Sequence, residues 1–152
     1  MYDPHTRSKS KIFSLVNTLV GTEGETRNML YMEKKKTLVL GASQNPERYS
    51  YLALQRLAAH QQPVVAIGAK KGQVGDTIIE TEKKAFEDID TVTLYLNPQR
   101  QKEYYDYILS LHPKRIIFNP GAENDELADL AEEKGIGVME ACTLVLLSTG
   151  QF

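Results

Sequence analysis

The residues of this 152-residue chain best suited to chemistry sit in short loops that follow apolar runs. The first loop is Gly41-Ala42-Ser43-Gln44-Asn45-Pro46-Glu47-Arg48-Tyr49-Ser50. A glycine lets the backbone approach a ligand, and a helix starting nearby points free N–H groups outward as an anion site. Ser43 and Asn45 add side-chain hydrogen-bonding groups. A dinucleotide fingerprint needs G-x-G-x-x-G, and here its first glycine alone is present, so this loop by itself also reads as a helix-capping turn. The second loop, Gly68-Ala69-Lys70-Lys71-Gly72, discriminates better. Sheets that bind NAD place Asp or Glu there, about 20 residues past the glycines, to accept from the ribose hydroxyls. Two ammonium groups suit phosphate instead, which predicts a ligand with an adenosine phosphate or diphosphate, NADP being compatible on charge alone. Leu96-Asn97-Pro98 and Asn119-Pro120-Gly121-Ala122-Glu123-Asn124 supply further polar turns. Each is also an ordinary strand-to-helix connection, so the case rests on four such loops meeting at one edge.

Other reactive side chains offer less. Cys142 is the single thiol, and nucleophilic catalysis needs a base that no sequence neighbour supplies. It reads as a small buried thiol at a strand-to-helix junction. His5, His60 and His112 are scattered without metal-ligand spacing. Tyr104, Tyr105 and Tyr107 share helical spacing with Ile108 and Leu111, which points to core or interface packing over base stacking.

The elements that must position these loops follow from apolar patterning. Runs at Thr37–Leu40, Pro63–Gly68, Thr91–Leu96, Arg115–Phe118 and Gly137–Met139 read as five strands, with Thr77–Ile79 as an optional short sixth. Helical spacing fills Glu47–His60, the stretch from Pro98 to Leu111, Glu123–Lys134 and Cys142–Leu147. Asn97 is a good N-cap, and Pro98 suits the first helical position. Gly135 ends the third helix. Short strands, apolar throughout and alternating with helices, predict an open, doubly wound, mainly parallel five-stranded sheet in a three-layer α/β/α fold. Ligands in such sheets bind outside the carboxyl ends of the strands, where these loops lie.

The composition bounds the rest. One chain of this length makes one ordinary domain of about 100–150 residues. Eighteen Lys+Arg against twenty Asp+Glu give a net charge of −2, which argues against a basic nucleic-acid binder. A lone cysteine fits a reducing, cytoplasmic setting, and no apolar run approaches the roughly 20 residues that span a bilayer. Residues 1–35 read as an N-terminal extension, flexible or with a short helix around 10–20, ahead of a 36–152 domain. Arg7, Lys9 and Lys11 precede an apolar stretch as in a secretory signal, but Ser14, Asn17 and Thr18 interrupt it. Lys34-Lys35-Lys36 reads as a solvated lead-in to the first strand. The Leu144–Leu147 run either packs on the sheet or forms a subunit contact, in which case the chain is a homo-oligomer.

In the loops, Gly41-Ala42-Ser43-x-x-Pro46-x-Arg48-Tyr49-Ser50 resembles the phosphate loop of the CoA-binding domain family. These are small Rossmann-like proteins, akin to the N-terminal domain of the succinyl-CoA synthetase alpha subunit. Ala69-Lys70-Lys71-Gly72 is similar to that family's lysine–glycine loop. Asp90-Thr91-Val92, Tyr95-Leu96-Asn97-Pro98 and Asn119–Asn124 match later segments in order, so the resemblance spans roughly residues 36–152. It implies coenzyme A, or an acyl-CoA, held by Gly41, Ala42, Ser43, Asn45, Arg48 and Tyr49, with Lys70 and Lys71 near the phosphates. Leu96, Asn97 and Pro98, with Asn119, Pro120 and Gly121, would flank the adenosine or pantetheine arm. Succinyl-CoA synthetase phosphorylates a histidine in a second domain, which this sequence lacks. The expectation is a non-catalytic CoA-binding protein, a sensor or a partner of acyl-CoA enzymes, without catalytic or metal-binding residues. The alternative is an NADP-binding oxidoreductase or nicotinamide-sensing domain. A mixed disulfide between Cys142 and the CoA thiol would add a redox response.

Overall fold

A computed structural model describes residues 33–152, so the expected short helix around 10–20 lies outside the described residues. The described chain forms a seven-stranded sheet in the order β3-β4-β2-β1-β5-β6-β7. Its strands are β1 (Thr37–Ala42), β2 (Val64–Gly68), β3 (Gly72–Val74), β4 (Thr77–Glu80), β5 (Thr91–Leu94), β6 (Arg115–Phe118) and β7 (Gly137–Glu140). All neighbours pair parallel except β3 with β4. The helices are α1 (Tyr49–Ala59), α2 (Pro98–Gln101), α3 (Tyr105–Ser110), α4 (Asp125–Glu133) and α5 (Thr143–Ser148).

The central strands β1 and β5 are buried almost end to end, their threonines Thr37, Thr91 and Thr93 included, because both faces are covered. In β1, Leu38 and Leu40 enter one core cluster with β5 and β6, while Val39 enters the other. The first cluster packs Ile108 of α3 and Leu127 and Ala131 of α4 onto the sheet. The second packs Leu54 and Leu57 of α1, Leu146 and Leu147 of α5, and Phe152. The apolar Leu144–Leu147 run therefore seals a sheet face, although Val145 stays exposed.

The expected five strands become seven. Residues Gly72–Val74, expected as loop, form β3, which turns back onto β4 through a two-residue turn at Gly75-Asp76. Gly75 has φ +57°, the conformation that the first position of such a tight hairpin turn demands. The strand is short and carries one β-forming side chain, Val74, so apolar patterning could not register it. The β4–β5 connection, residues 81–90, holds no helix, and Ile89 and Phe86 pack into the first cluster in place of one. The helix expected after Pro98 is broken by a 3-10 turn over Lys102–Tyr104. Gln101, fully buried, donates from Nε2 to the Leu96 and Ala122 carbonyls at 2.8 and 2.7 Å, which ties the first turn to two strand ends.

Lys35 departs from the solvated lead-in expected of Lys34–Lys36. It is half-buried, its Nζ lies 2.5 Å from the Phe152 carbonyl, and burial, with Arg115 nearby, lowers its pKa. Among the described residues, no helix is long and apolar enough to cross a membrane.

Candidate functional site

If the hairpin strand β3 is set aside, the parallel strands run 3-2-1-4-5-6 in rank order, and the direction of winding reverses between β1 and β5. There the loops diverge to opposite sides and leave a crevice. A cleft of about 600 Å³ occupies this position, and its walls come from the loops after β1, β2, β5 and β6.

The loop after β1 lines one wall with Gly41, Ala42, Ser43, Gln44, Asn45, Arg48, Tyr49 and Ser50. Gly41 has φ +95°, and a β-carbon there would stand 3.1 Å from the Tyr95 backbone carbon, so glycine is required on both counts. The loop is built from its own short-range bonds. Ser43 Oγ accepts from Asn45 N at 3.0 Å, and Asn45 Oδ1 accepts from Glu47 N at 3.0 Å. Arg48, at the N-cap of α1, makes no side-chain cap; the Tyr51 N–H turns back to the Arg48 carbonyl at 3.1 Å, and the Tyr49 and Ser50 N–H groups face the loop end of the helix, open to a ligand. Tyr49 is 71% exposed, an uncovered aromatic face at the cleft mouth.

Lys70 and Lys71 follow β2, and Leu96 and Arg100 follow β5, with Pro120 after β6. The lining thus carries four cations, Arg48, Lys70, Lys71 and Arg100, all exposed, and no Asp, Glu, His or Cys. None of the four makes an ion pair among the described residues. Unneutralised positive charge around a backbone-lined crevice favours a polyanionic ligand of the phosphate type.

The other sequence-proposed residues stand behind this lining. Asn97 Oδ1 accepts from Arg100 N at 3.0 Å and caps α2, with Pro98 in its first turn. The cap thereby aims Arg100 at the cleft. Asn119 is buried and joins three elements: Nδ2 donates to Thr93 Oγ1 (2.7 Å) and Leu94 O (2.9 Å), and Oδ1 accepts from Thr143 N (2.9 Å). Gly121, at φ +93°, donates its N–H to Glu123 Oε1 at 2.6 Å and shapes the turn after β6.

Sequence reasoning missed Arg100, and left Gln44, Ser50, Ala69 and Tyr95 inside its loops and motifs without singling them out. Arg100 was within reach, since an Asn N-cap places the residue three positions on at the loop end of the helix. Tyr95 carried no such signal of its own. Its Oη is buried beside the Thr93 and Thr143 hydroxyls, and burial, only partly offset by those hydroxyls, pushes its pKa up to about 12. Cys142 is half-buried at the N-cap of α5 and is not among the cleft-lining residues. Tyr104, Tyr105 and Tyr107 pack partly buried against the first core cluster, with Tyr105 Oη accepting from Asn124 Nδ2 at 2.8 Å.

Among solved structures, the chain is similar to one described as an uncharacterized protein, at 52% identity and a TM-score of 0.77. That match covers 79% of this chain and 99% of the other. A hypothetical protein from Pyrococcus horikoshii OT3 shares the fold at 24% identity and a TM-score of 0.69, covering 85% of this chain and 92% of that one. A Thermus thermophilus structure shares it at 19% identity and a TM-score of 0.71, covering 87% and 100%. No curated protein matches the chain. The model of the CoA binding domain matches residues 35–148, a span that holds every loop of the cleft. The chain therefore belongs to the CoA-binding domain family.

Proposed function

We propose that the chain binds coenzyme A or an acyl-CoA in the cleft at the β1–β5 switch point and performs no chemistry of its own. The observation that carries this reading is the ring of Arg48, Lys70, Lys71 and Arg100 around a crevice lined by no carboxylate. Coenzyme A presents a 3′-phosphate and a diphosphate, enough negative charge to engage several of these cations at once. The N-terminus of α1 and the backbone at Gly41 receive the diphosphate, and Lys70 and Lys71 reach the remaining phosphate. Asn97, Pro98, Asn119 and Gly121 hold the walls in place, and Leu96 and Pro120 offer apolar contact to the adenosine or pantetheine arm.

A binding module of this kind acts by reporting coenzyme A or acyl-CoA levels, or by docking with an acyl-CoA enzyme, in the cytoplasm. Calorimetric titration with CoA, dephospho-CoA, NADP and NAD tests the reading. Tightest binding of CoA, weakened when the 3′-phosphate is missing, is the expected result. Tight NADP binding without a response to CoA would transfer the cleft to nicotinamide chemistry and end the proposal.

A further inference from the structure

The loops that follow β1 and β2 are fastened to each other at two points. The first is backbone against backbone. A β-carbon at Gly68 would lie 2.2 Å from the Ala42 carbonyl oxygen, so β2 ends flush against β1. The sheet register shifts between Leu40 and Ala42 to make this approach, pairing Ala42 with Gly68. The second fastening is a side chain. Gln44 reaches across from the loop after β1, and its Oε1 accepts from Gln73 N at 2.9 Å. Its side chain fills the space above Gly72, where a β-carbon would stand 2.3 Å from Gln44 Cδ. Between the two fastenings lie Ala69, Lys70 and Lys71, all exposed.

We infer that Gln44 is a positioning residue, a strap that holds the Lys70–Lys71 loop over the cleft before a ligand arrives. Gly72 is its counterpart, because its bare α-carbon lets the strap lie flat. Gln73 belongs to β3, an edge strand, and without Gln44 its outward N–H would have no protein acceptor. Three exposed residues fixed at both ends lose little freedom when phosphate binds, whereas the same residues released at one end must be ordered by the ligand. The same glycine pair that frames the lysines, Gly68 and Gly72, thus sets their place relative to Gly41 and α1. Gly72 does not adopt a positive φ, so alanine there is compatible with the backbone and acts through the displaced Gln44 side chain.

The ligand in this inference rests on the CoA-binding reading; the strap itself does not. Hydrogen exchange at the Gln73 amide and titration with CoA are compared in the wild type, Gln44→Ala, Gly72→Ala and the double variant. Each single change is expected to speed Gln73 exchange and to weaken CoA binding about tenfold. The double variant should bind no more weakly than either single one, because both changes break one contact. Gln44→Glu keeps an acceptor for Gln73 N–H, so it should retain slow exchange while its added negative charge weakens CoA. Unchanged Gln73 exchange in Gln44→Ala overturns the strap. Faster exchange with undiminished CoA affinity, or additive losses in the double variant, overturns its positioning role. Should the wild type bind no CoA, the functional reading fails separately, and exchange at Lys71 and Gln73 decides the strap: faster in Gln44→Ala upholds it, unchanged refutes it.

Discussion

Lys71 and Tyr95 show how differently two residues of one cleft act. Lys71 is exposed and makes no ion pair among the described residues, so its ammonium costs the free protein little and gains a charge-assisted bond when phosphate arrives. Lys71→Ala should weaken CoA at least about tenfold with little change in thermal midpoint, and the loss should shrink at high salt. Titration at two ionic strengths checks both parts. Tyr95 has the opposite economy. Its hydroxyl is buried beside the Thr93 and Thr143 hydroxyls, a poor but not empty polar environment, so Tyr95→Phe should change stability by less than about 1 kcal/mol in denaturant unfolding. Burial also pushes its pKa up to about 12, so the folded state holds this proton more tightly than the unfolded chain, whose tyrosine titrates near 10. That contribution is fully present below pH 10 and is lost as pH rises through 10 towards 12. Tyr107, also raised to about 12 by burial, acts in the same direction. Stability measured from pH 9 to 12 should fall, and fall less steeply in Tyr95→Phe.

At the scale of elements, Asn119 carries the most structure per atom. It joins β5, β6 and α5 through three bonds beneath the cleft. Asn119→Ala strands buried partners, among them the Thr143 N–H, and should cost about 2–3 kcal/mol in equilibrium unfolding. A loss below about 0.5 kcal/mol would show that water replaces the clamp without penalty. The same elements explain what could be read in advance. The five parallel strands β1, β2, β5, β6 and β7 were legible because burial on both faces forces a continuous apolar run, as Leu38-Val39-Leu40 and Ile116-Ile117-Phe118 show. The β3–β4 hairpin was far less legible, since its β3 strand is three residues long and Gln44 completes its outer edge from another part of the chain. The break in the helix after Pro98 was hidden for a related reason: Gln101 looks like a surface residue, and distant partners, the Ala122 and Leu96 carbonyls and the Asn124 amide, make it a buried one.

The whole molecule is a sheet with two unlike edges. At the carboxyl edge, the winding reversal between β1 and β5 opens the cleft, and the strand-end loops converge there because the topology leaves them no other place. Most of the candidate site was therefore legible as loops that follow strands, while Gln44 and Arg100 depend on cross-chain and capping geometry. At the opposite edge, Phe152 closes the second core cluster. Its ring lies 4.5 Å from the Arg115 guanidinium carbon and 5.8 Å from Lys35 Nζ. Arg115 is itself largely buried, with Nε bonded to Thr91 Oγ1 at 2.8 Å and both Nη atoms unpartnered among the described residues, so the aromatic face is a principal neighbour of its charge. Phe152→Ala should cost about 3 kcal/mol or more in denaturant unfolding, and Phe152→Leu distinctly less if packing outweighs the cation–aromatic contact. Neither change lies near the cleft lining, so CoA affinity should hold in both.

The central claim concerns place as well as ligand, and amide shift mapping during a CoA titration reads both together. The account predicts shifts concentrated at Gly41–Ser50, Ala69–Gly72, Tyr95–Leu96 and Arg100, saturating with a single affinity. Shifts centred instead on the separate cavity of about 480 Å³ between Lys83, Phe86 and Tyr107, or no shifts at all, would contradict it.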